Sequence, residues 1–453
     1  MTVARVPAAC GTVSLPDERH NVRMRPTPDE FEQAWPRIVR ALAAFTGSLD
    51  DAEEFAAEAV ARAAAFPGRI DSFAAWCTSV AKRAWIDDAR RRKVEARLAP
   101  ELVRPEVDPT ASVTAMAPDD RVAGEGLDDR LALLFVACDE ALSPTSQMVL
   151  ALRVVCGLTI PEIAAHLGLQ EPATAARLTR AKRSLAEARG AFRVPGPSER
   201  AERLPVVLAC VAGMFTVAHR TVLDPADSLA DTGRQALSIA DALVAAYPTD
   251  TEVRGLRAVI RLGLARRPGR VDATGTGLAL DEVDRSRWDR RLLAAGLDDA
   301  TFAAAGDGRF AIEAAISGLH SSAPTFADTD WGRIVLLYGA LEERWPAPSV
   351  RVARLAATAH ALLAIAARSA RVTGAEGGGP TGPQAEALAA VEDELLALEA
   401  GPAAYASRDA ALTLADVAWR TGRREEARER YTALAEVMRA EELRRFCLRR
   451  AAG

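Results

Sequence analysis

The chain of 453 residues lacks several features that mark large classes of protein. Its six cysteines are scattered without a C-x-x-C pair, which argues against a zinc site or a disulfide framework and favours buried thiols. Nucleotide-loop, zinc-protease and serine-hydrolase motifs are missing from the sequence, so we expect no enzyme, no metal and no cofactor. No continuous apolar run reaches the roughly 18–20 residues of a membrane span, and residues 1–25 lack a secretory apolar stretch. These absences predict a cytoplasmic protein that does not bind a membrane.

Lysine is also scarce, and its distribution is informative. Only three of the 57 basic residues are lysines, and the arginines are spread along the whole chain, so arginine clusters alone are weak evidence. All three lysines lie in two basic stretches, residues 82–97 with a net charge of +4 and residues 177–193 with a net charge of +5. Two basic stretches in a chain of net charge −5 indicate contact with a polyanion. The alternative is that both stretches are simply solvated helix faces in an arginine-rich chain and bind no polyanion.

The apolar pattern predicts an all-α protein. Apolar residues recur at spacings of three and four, alanine and leucine dominate, and β-branched alternation is missing. Proline and glycine clusters divide the chain into a tail, two small helical units joined by a linker, and a long helical C-terminal domain. The predicted boundaries are 1–25 for the tail, 26–97 and 127–193 for the units, 98–126 for the linker and 198–453 for the C-terminal domain.

A helix-turn-helix is predicted within residues 160–185. Ser143 and Pro144 begin the preceding helix, and Thr159 with Glu162 forms a capping box for the next. Gly168 lies where the turn requires a positive φ. In the following helix one face is predicted to pack inward, and its residues are Thr174, Leu178, Ala181 and Leu185. A plain helical hairpin is the alternative.

The second helix of this motif is predicted to hold DNA mainly by its phosphates. Its first turn would meet base edges, and there Glu171 could accept from a cytosine amine. Ala173 and Ala176 offer only methyl groups for thymine contacts. The residues predicted to contact phosphates are Arg177, Arg180, Lys182 and Arg183. The sequence therefore indicates a firm grip on DNA with little base readout.

The first unit carries two further candidate surfaces. Asp51, Glu54 and Glu58 are spaced so that they share one acidic helical face. Downstream, aromatic residues alternate with basic ones, as suits stacking of single-stranded bases beside phosphate contacts. The candidate DNA-binding residues here are Trp76, Lys82, Arg83, Arg90 and Arg91. The alternative is that the aromatic residues are core and the basic ones a solvated helix end.

Together these segments resemble bacterial sigma factors of the extracytoplasmic-function class. "SFAAWCTSVAKRAWIDDARRR" resembles the region 2 helix that recognises and melts the minus-ten element, and "LDDAEEFAAEAV" resembles the region 2 helix that docks on core RNA polymerase. "LSPTSQMVLALRVVCGLTIPEIAAHLGLQEPATAARLTRAKRSLAEAR" resembles region 4, which reads the minus-35 element. The resemblance implies that core RNA polymerase and promoter DNA are the partners and that the protein directs transcription initiation.

The rest of the chain resembles the long extension of one sigma subgroup that ends in tetratricopeptide-like helices. The resemblance is carried by "DRSRWDR", by "AAISGLHSSAPTFADTDWGRIVLLYGAL" and by Gly422, Ala427 and Tyr431 at tetratricopeptide-like offsets. A generic alanine-rich hairpin is the alternative for the last segment. We expect the extension to modulate activity and to have a protein partner.

Two competing functions remain open from the sequence. One is a helical adaptor or scaffold that keeps a sigma-like fold and binds protein partners without initiating transcription. The other is an enzyme, for which His320 near Asp328 and Asp330 is the best candidate for chemistry. A capped loop between helices is the favoured interpretation of that last segment.

Overall fold

Helices form nearly all the regular structure in the described part of the chain. The computed structural model describes residues 27–98, 127–221, 231–373, 380–438 and 440–453. Within those ranges no strand forms, and an isolated bridge joins Val271 to Gly277. The predicted all-α class is confirmed. The predicted tail and most of the predicted linker lie outside the described residues.

Seven helices form the N-terminal part of the fold within residues 27–98 and 127–189. They are α1 (Pro28–Thr46), α2 (Leu49–Ala65), α3 (Phe73–Leu98), α4 (Asp129–Ala137), α5 (Pro144–Val154), α6 (Ile160–Leu167) and α7 (Glu171–Arg189). Local chemistry fixes several of their ends. Gly47 ends α1 in a left-handed conformation with φ of 73°, and Ser48 caps α2 by accepting from the Asp51 N–H at 3.2 Å.

These seven helices share one hydrophobic core. The sequence predicts two compact units separated by a linker, and the structure packs the first unit (α1–α3) directly against the second (α4–α7). Ile38 and Leu42 of α1 are fully buried in the same cluster as Leu134 and Phe135 of α4. Apolar residues at spacings of three and four predict each helix but carry no information on which helices meet across a linker.

Eleven further helices form the part of the C-terminal extension that the structure describes. They are α8 (Pro197–Thr221), α9 (Thr232–Ala246), α10 (Thr251–Ala265), α11 (Arg290–Ala303), α12 (Arg309–Ser322), α13 (Trp331–Arg344), α14 (Pro348–Thr373), α15 (Pro383–Glu399), α16 (Ala404–Arg420), α17 (Arg424–Val437) and α18 (Glu441–Ala452). Helix α8 packs on α4, α5 and α6, so the extension continues the core of the second unit. From α10 onward, helices pack chiefly against their chain neighbours, as in helical repeat proteins.

The predicted helix pair near the C-terminus is present as α16 and α17. Gly422 has φ of 79° in the turn, while Ala427 and Tyr431 are fully buried between the helices. A loop that contains the short helix Arg285–Arg287 ties this end of the chain to the middle of the extension. In that loop the Gly277 N–H donates to the Glu442 carbonyl at 2.9 Å.

One helix is apolar enough by length and composition to span a membrane, although it contains no uninterrupted apolar run of that length. By length and composition, residues Pro348–Ala370 of α14 meet that requirement among the described residues. A core helix passes the same test, and α14 packs against α13, α15 and α16. The earlier expectation considered only uninterrupted apolar runs, whereas this helix mixes apolar residues with a few arginines.

Candidate nucleic-acid and polymerase interfaces

The turn between α6 and α7 has the geometry of a helix-turn-helix. The Thr159 N–H donates to Oε2 of Glu162 at 2.7 Å, and the Glu162 N–H donates to Oγ1 of Thr159 at 3.4 Å. Gly168 ends α6 with φ of 66°, a conformation that a residue without a Cβ adopts at no steric cost. The predicted capping box and turn are confirmed.

Helix α7 buries one face and exposes the other. The buried residues are Thr174, Leu178, Ala181 and Leu185, as the spacing predicts. The exposed residues among the candidate DNA contacts are Glu171, Ala173, Ala176, Arg180 and Arg183. The helix therefore presents one carboxylate and methyl groups in its first turn and guanidinium groups further along.

The four basic candidates on α7 differ in their surroundings. Arg180 is exposed, and no ion pair to it is found in the described part of the chain. Arg183 is exposed and pairs with Glu187 at 2.7 Å, while Arg177 is half-buried. The side chain of Lys182 is only 10% exposed, because it is directed toward α2. In this conformation Lys182 does not face solvent together with Arg180.

Lys182 lies at the centre of an ion-pair cluster that joins the two units. Its Nζ lies 2.7 Å from Oδ1 of Asp50 and 2.6 Å from Oε2 of Glu53. Arg153 of α5 donates its Nε to Oε1 of Glu53 at 2.9 Å, and its Nη2 contacts the same oxygen. We call Asp50, Glu53, Arg153 and Lys182 the inter-region cluster.

The electrostatics of this cluster favour the charged form of Glu53. Burial alone would raise the pKa of Glu53, but Lys182 and the hydrogen bond from Arg153 lower it overall. Sequence reasoning missed Glu53 and Arg153 as site residues. The available signal was that Glu53 follows Leu49 by four positions on the apolar face of α2, where an acidic residue needs a partner.

The acidic face predicted on α2 is present, although its three carboxylates differ in exposure and in hydrogen bonding. Glu54 and Glu58 are exposed, and Glu58 pairs with Arg62 one turn later at 2.6 Å. Asp51 is half-buried, and its Oδ2 accepts the indole N–H of Trp85 on α3 at 2.8 Å. Asp51 therefore helps to join α2 to α3, whereas the other two carboxylates face solvent.

The candidate residues on α3 divide into a half-buried and an exposed group. Trp76 packs on the ring of Phe66 with centroids 5.4 Å apart, and Nζ of Lys82 lies 5.0 Å from the ring centroid of Phe45. The exposed residues are Arg83, Arg90 and Arg91. The last two lie near acidic residues one turn earlier, at N–O distances of 3.6 and 3.7 Å.

The acidic and basic candidates of the first unit meet in one groove between α2 and α3. Glu54 and Glu58 line it from α2, and Arg83 and Arg91 line it from α3. The sequence predicts these faces separately and gives no sign that they are adjacent. A single surface of this unit therefore carries both the predicted polymerase contacts and part of the predicted DNA contacts.

The segment around His320, the best candidate for chemistry in the sequence, has a structural role. His320 lies in α12 with its ring against Trp331, at a centroid distance of 5.2 Å. Asp330 caps α13 by accepting from the Arg333 N–H, and Asp328 accepts from the hydroxyl of Thr325. Burial lowers the pKa of His320 to about 3, so its ring is neutral at physiological pH. The favoured interpretation of this segment as a capped loop is confirmed.

The described cysteines lie in the interior of the protein. The described cysteines are buried without disulfides, and they are Cys77, Cys138, Cys156, Cys210 and Cys447. Burial raises the pKa of Cys77 to about 11, as it does for Cys447. The expected buried thiols are therefore confirmed for these five positions.

Comparison with known proteins matches three parts of the chain to families. Residues 31–95 match sigma-70 region 2, and residues 133–185 match sigma-70 region 4. Residues 203–304 match a family of unknown function, DUF6596. The two sigma matches fall on α1–α3 and α4–α7, and the third falls within the extension.

Two relatives extend this result. An uncharacterized protein of Rhizobium meliloti is 36% identical over 330 residues, which are 72% of this chain and 77% of that protein. A probable ECF RNA polymerase sigma factor, SigI, of Mycobacterium tuberculosis is 30% identical over 180 residues, 40% of this chain and 60% of that protein. No solved structure matches the chain.

Region 2 followed by region 4 defines a non-enzymatic transcription initiation factor of the sigma-70 type. The chain carries sigma-70 region 2 and region 4 followed by a helical C-terminal extension, and over 180 residues it is similar to a probable ECF sigma factor. From here α1–α3 are called region 2 and α4–α7 region 4.

Proposed function

We propose that this sigma factor acts in the cytoplasm, where it binds core RNA polymerase and directs it to promoters. The observation that carries this proposal is the groove between α2 and α3, where exposed carboxylates lie beside exposed guanidinium groups within region 2. Glu54 and Glu58 would contact polymerase, with Asp51 fixed behind them by its bond to Trp85. Arg83, Arg90 and Arg91 would then lie along the path of the melted minus-ten strand.

Region 4 would hold the minus-35 element through α7. Arg180 and Arg183 are exposed for phosphate contacts, and Arg177 lies half-buried beside them. Base choice by this helix would depend on Glu171, Ala173 and Ala176, which offer one acceptor and two methyl groups. A bidentate base contact contributes about 1–3 kcal/mol to discrimination, so its absence from this helix predicts modest specificity in region 4.

The extension would modulate this activity, and its contact with region 4 supports the idea. Helix α8 packs on the helices that carry the helix-turn-helix, and Arg203 of α8 pairs with the buried Asp139 at 2.8 Å. A protein partner that moves α8 would therefore also move region 4. We expect such a partner to bind the repeat-like helices beyond α10.

Open-complex formation on genomic DNA fragments tests the proposed function. Core polymerase with the full-length chain should melt specific promoters, seen as permanganate-reactive thymines near position −10. Core polymerase alone should not melt them. If the chain binds core polymerase without any melting, the adaptor function replaces the proposed one.

A further inference from the structure

The loop of residues 266–289, between α10 and α11, is unusually long for a connection between helices. Loops beyond about 12–15 residues are uncommon in compact domains and usually carry a function. This loop extends away from its own two helices and lies against α16 and α18 near the C-terminus. There its turn at Leu280–Glu282, which we call the acidic turn, is exposed. The loop therefore covers the surface of α16 and α18.

Both carboxylates of the acidic turn meet arginines of these helices. Oδ1 of Asp281 lies 2.8 Å from Nη2 of Arg420 on α16, and its Oδ2 accepts from Nη1 of the same side chain at 3.3 Å. Glu282 has one oxygen 2.6 Å from Nη2 of Arg449 and the other 3.1 Å from Nη2 of Arg450, both on α18. Three arginines from two helices thus surround one short acidic segment, and we call them the arginine site.

The arginine site depends on the loop for its charge balance. Within the described ranges, Glu282 is the one carboxylate that pairs with Arg449 and Arg450. Arg420 has a second partner, Asp416 of its own helix, at 2.7 Å. Without the acidic turn, two guanidinium groups would lack a carboxylate, and the side chain of Arg450 is only 9% exposed. Because a buried charge without a partner is costly, the site would favour an anionic group that replaces the loop.

Aromatic and backbone groups beside the arginine site suit a peptide. The guanidinium carbon of Arg450 lies 4.5 Å from the ring centroid of Trp419 and 5.6 Å from that of Phe446. The Glu442 carbonyl accepts from the Gly277 N–H of the loop at 2.9 Å. The loop is therefore held by a backbone hydrogen bond and by carboxylates, which are groups that any acidic peptide also carries.

The loop is attached to these helices mainly by polar contacts. The buried cluster of α16–α18 consists of their own residues, and Ala279 is the loop residue that packs on it. Asp281 and Glu282 are exposed residues, and exposed ion pairs each contribute little net stability. Another acidic segment can therefore replace the loop while α16–α18 stay packed.

From these observations we infer that the arginine site binds an acidic peptide segment of a partner protein, with the acidic turn as its internal occupant. Adjacent Asp and Glu side chains of the partner replace Asp281 and Glu282 at the same guanidinium groups. The inference rests on the proposed function only in that the extension has a protein partner, and it adds the chemistry of that partner.

Fluorescence anisotropy with a labelled peptide tests the inference. The probe is the loop sequence GLALDEVD, residues 277–284, and the control peptide carries Asn and Gln in place of its Asp and Glu. The full-length variant Asp281→Asn with Glu282→Gln removes the internal carboxylates. It should bind the acidic probe at least about tenfold more tightly than the unmodified chain, in which the loop competes at a roughly millimolar effective concentration.

Further substitutions in this double variant locate the binding. Arg449→Gln should weaken binding of the acidic probe about tenfold, the effect of one lost charge-assisted hydrogen bond. Arg444→Gln removes the same charge from α18, where Arg444 pairs with Glu441, and should change the affinity little. Circular dichroism checks that each variant is folded. If the double variant is unfolded, Glu282→Gln alone carries the test, because Glu282 pairs with both arginines of α18.

Several results would overturn the inference. One is that no folded variant binds the acidic probe, and another is that the acidic and neutral peptides bind equally. Tighter binding of a single-stranded oligonucleotide than of the acidic probe would assign the site to nucleic acid instead. These measurements use neither polymerase nor a promoter, so their failure leaves the proposed role in transcription initiation intact. Failure to form open complexes would refute that role and leave this inference intact.

Discussion

At the scale of single residues, the charge state of Glu53 couples the stability of the contact between regions 2 and 4 to pH. The pKa of Glu53 is lowered from its usual 4.5, so its stabilising effect is complete above 4.5 and is lost as pH falls through the lower folded value. At pH 7, Glu53→Gln should lower the free energy of unfolding by about 3–5 kcal/mol, as for other buried pairs that lose one partner. Denaturant unfolding at several pH values measures this difference, which should shrink below pH 4.5. A difference that stays constant down to pH 3 would contradict the assignment.

Arg180 gives a second prediction at this scale. It is the exposed basic residue of α7 best placed to contact phosphate, so Arg180→Ala should weaken binding to all DNA sequences about equally. The slope of log affinity against log salt should fall by about 0.9, the effect of one phosphate contact. Arg428→Ala, at an exposed position on α17, is the control and should leave the slope unchanged. A sequence-selective loss would show that Arg180 reads bases instead.

Periodicity explains which site residues the sequence could predict. The exposure of Arg180 and Arg183 followed from their distance from the buried face of α7. Lys182 lies four residues after Leu178 and three before Leu185, so the same periodicity places it at the edge of the buried face. Its partners on α2 could not be predicted, because they lie about 130 residues away in sequence and depend on how the two regions pack.

At the scale of helices, α2 is the element proposed to dock on polymerase. Glu54→Lys with Glu58→Lys should abolish co-purification with core polymerase, since both carboxylates are exposed and reversal creates repulsion. The helix itself should remain folded, because neither residue belongs to the core. Glu425→Lys with Glu429→Lys on α17 repeats the charge change at the same spacing and should leave co-purification intact. Unchanged binding by the α2 variant would remove this face from the proposal.

Helix α3 carries the corresponding prediction for DNA melting. Arg83→Ala with Arg90→Ala should reduce the yield of open complexes at least tenfold while core polymerase binding persists, because both side chains are exposed on the proposed strand path. Permanganate reactivity near position −10 measures the yield. Arg368→Ala with Arg428→Ala in the extension is the matched control. A normal yield from the α3 variant would mean that another helix handles the melted strand.

Individual helices were predictable because their signals are local. The Thr159–Glu162 capping box and the left-handed Gly168 each depend on neighbours within a few residues, and both agree with the structure. Trp76 was harder to interpret, since an aromatic residue between basic ones fits both a stacking platform and a core position. Its ring packs on Phe66, so a role in base stacking stays a prediction.

At the scale of the whole molecule, the extension completes the core of region 4. Apolar residues of α8, including Val207, Val211 and Met214, belong to the same buried cluster as Leu134 and Phe135 of α4. Each fully buried side chain of this kind contributes about 1.5–3 kcal/mol. A chain that ends at residue 192 should therefore unfold at a lower temperature than the full-length chain and expose apolar surface. A chain that ends at residue 221 should regain part of the lost stability. Circular dichroism measures the melting temperature of each truncated chain. Equal melting temperatures for the two would contradict this role for α8.

The relation between the regions was the least predictable part of the fold. The proline-rich linker between α3 and α4 predicts that the two regions are separate units. Taken one at a time, the charges of α2 and of α7 predict two different partners, polymerase and DNA. Glu53 and Lys182 instead pair with each other across the contact between the two regions. Contacts between distant segments depend on shape and charge complementarity that one sequence does not reveal.

Transcription in vitro from genomic DNA tests the central claim most directly. Core polymerase is combined with the full-length chain, and the 5′ ends of the transcripts are mapped. We predict transcripts that start at a defined set of sites and that require the added chain. If the full-length chain binds core polymerase but yields no site-specific transcripts on any fragment, the proposed role in transcription initiation is wrong.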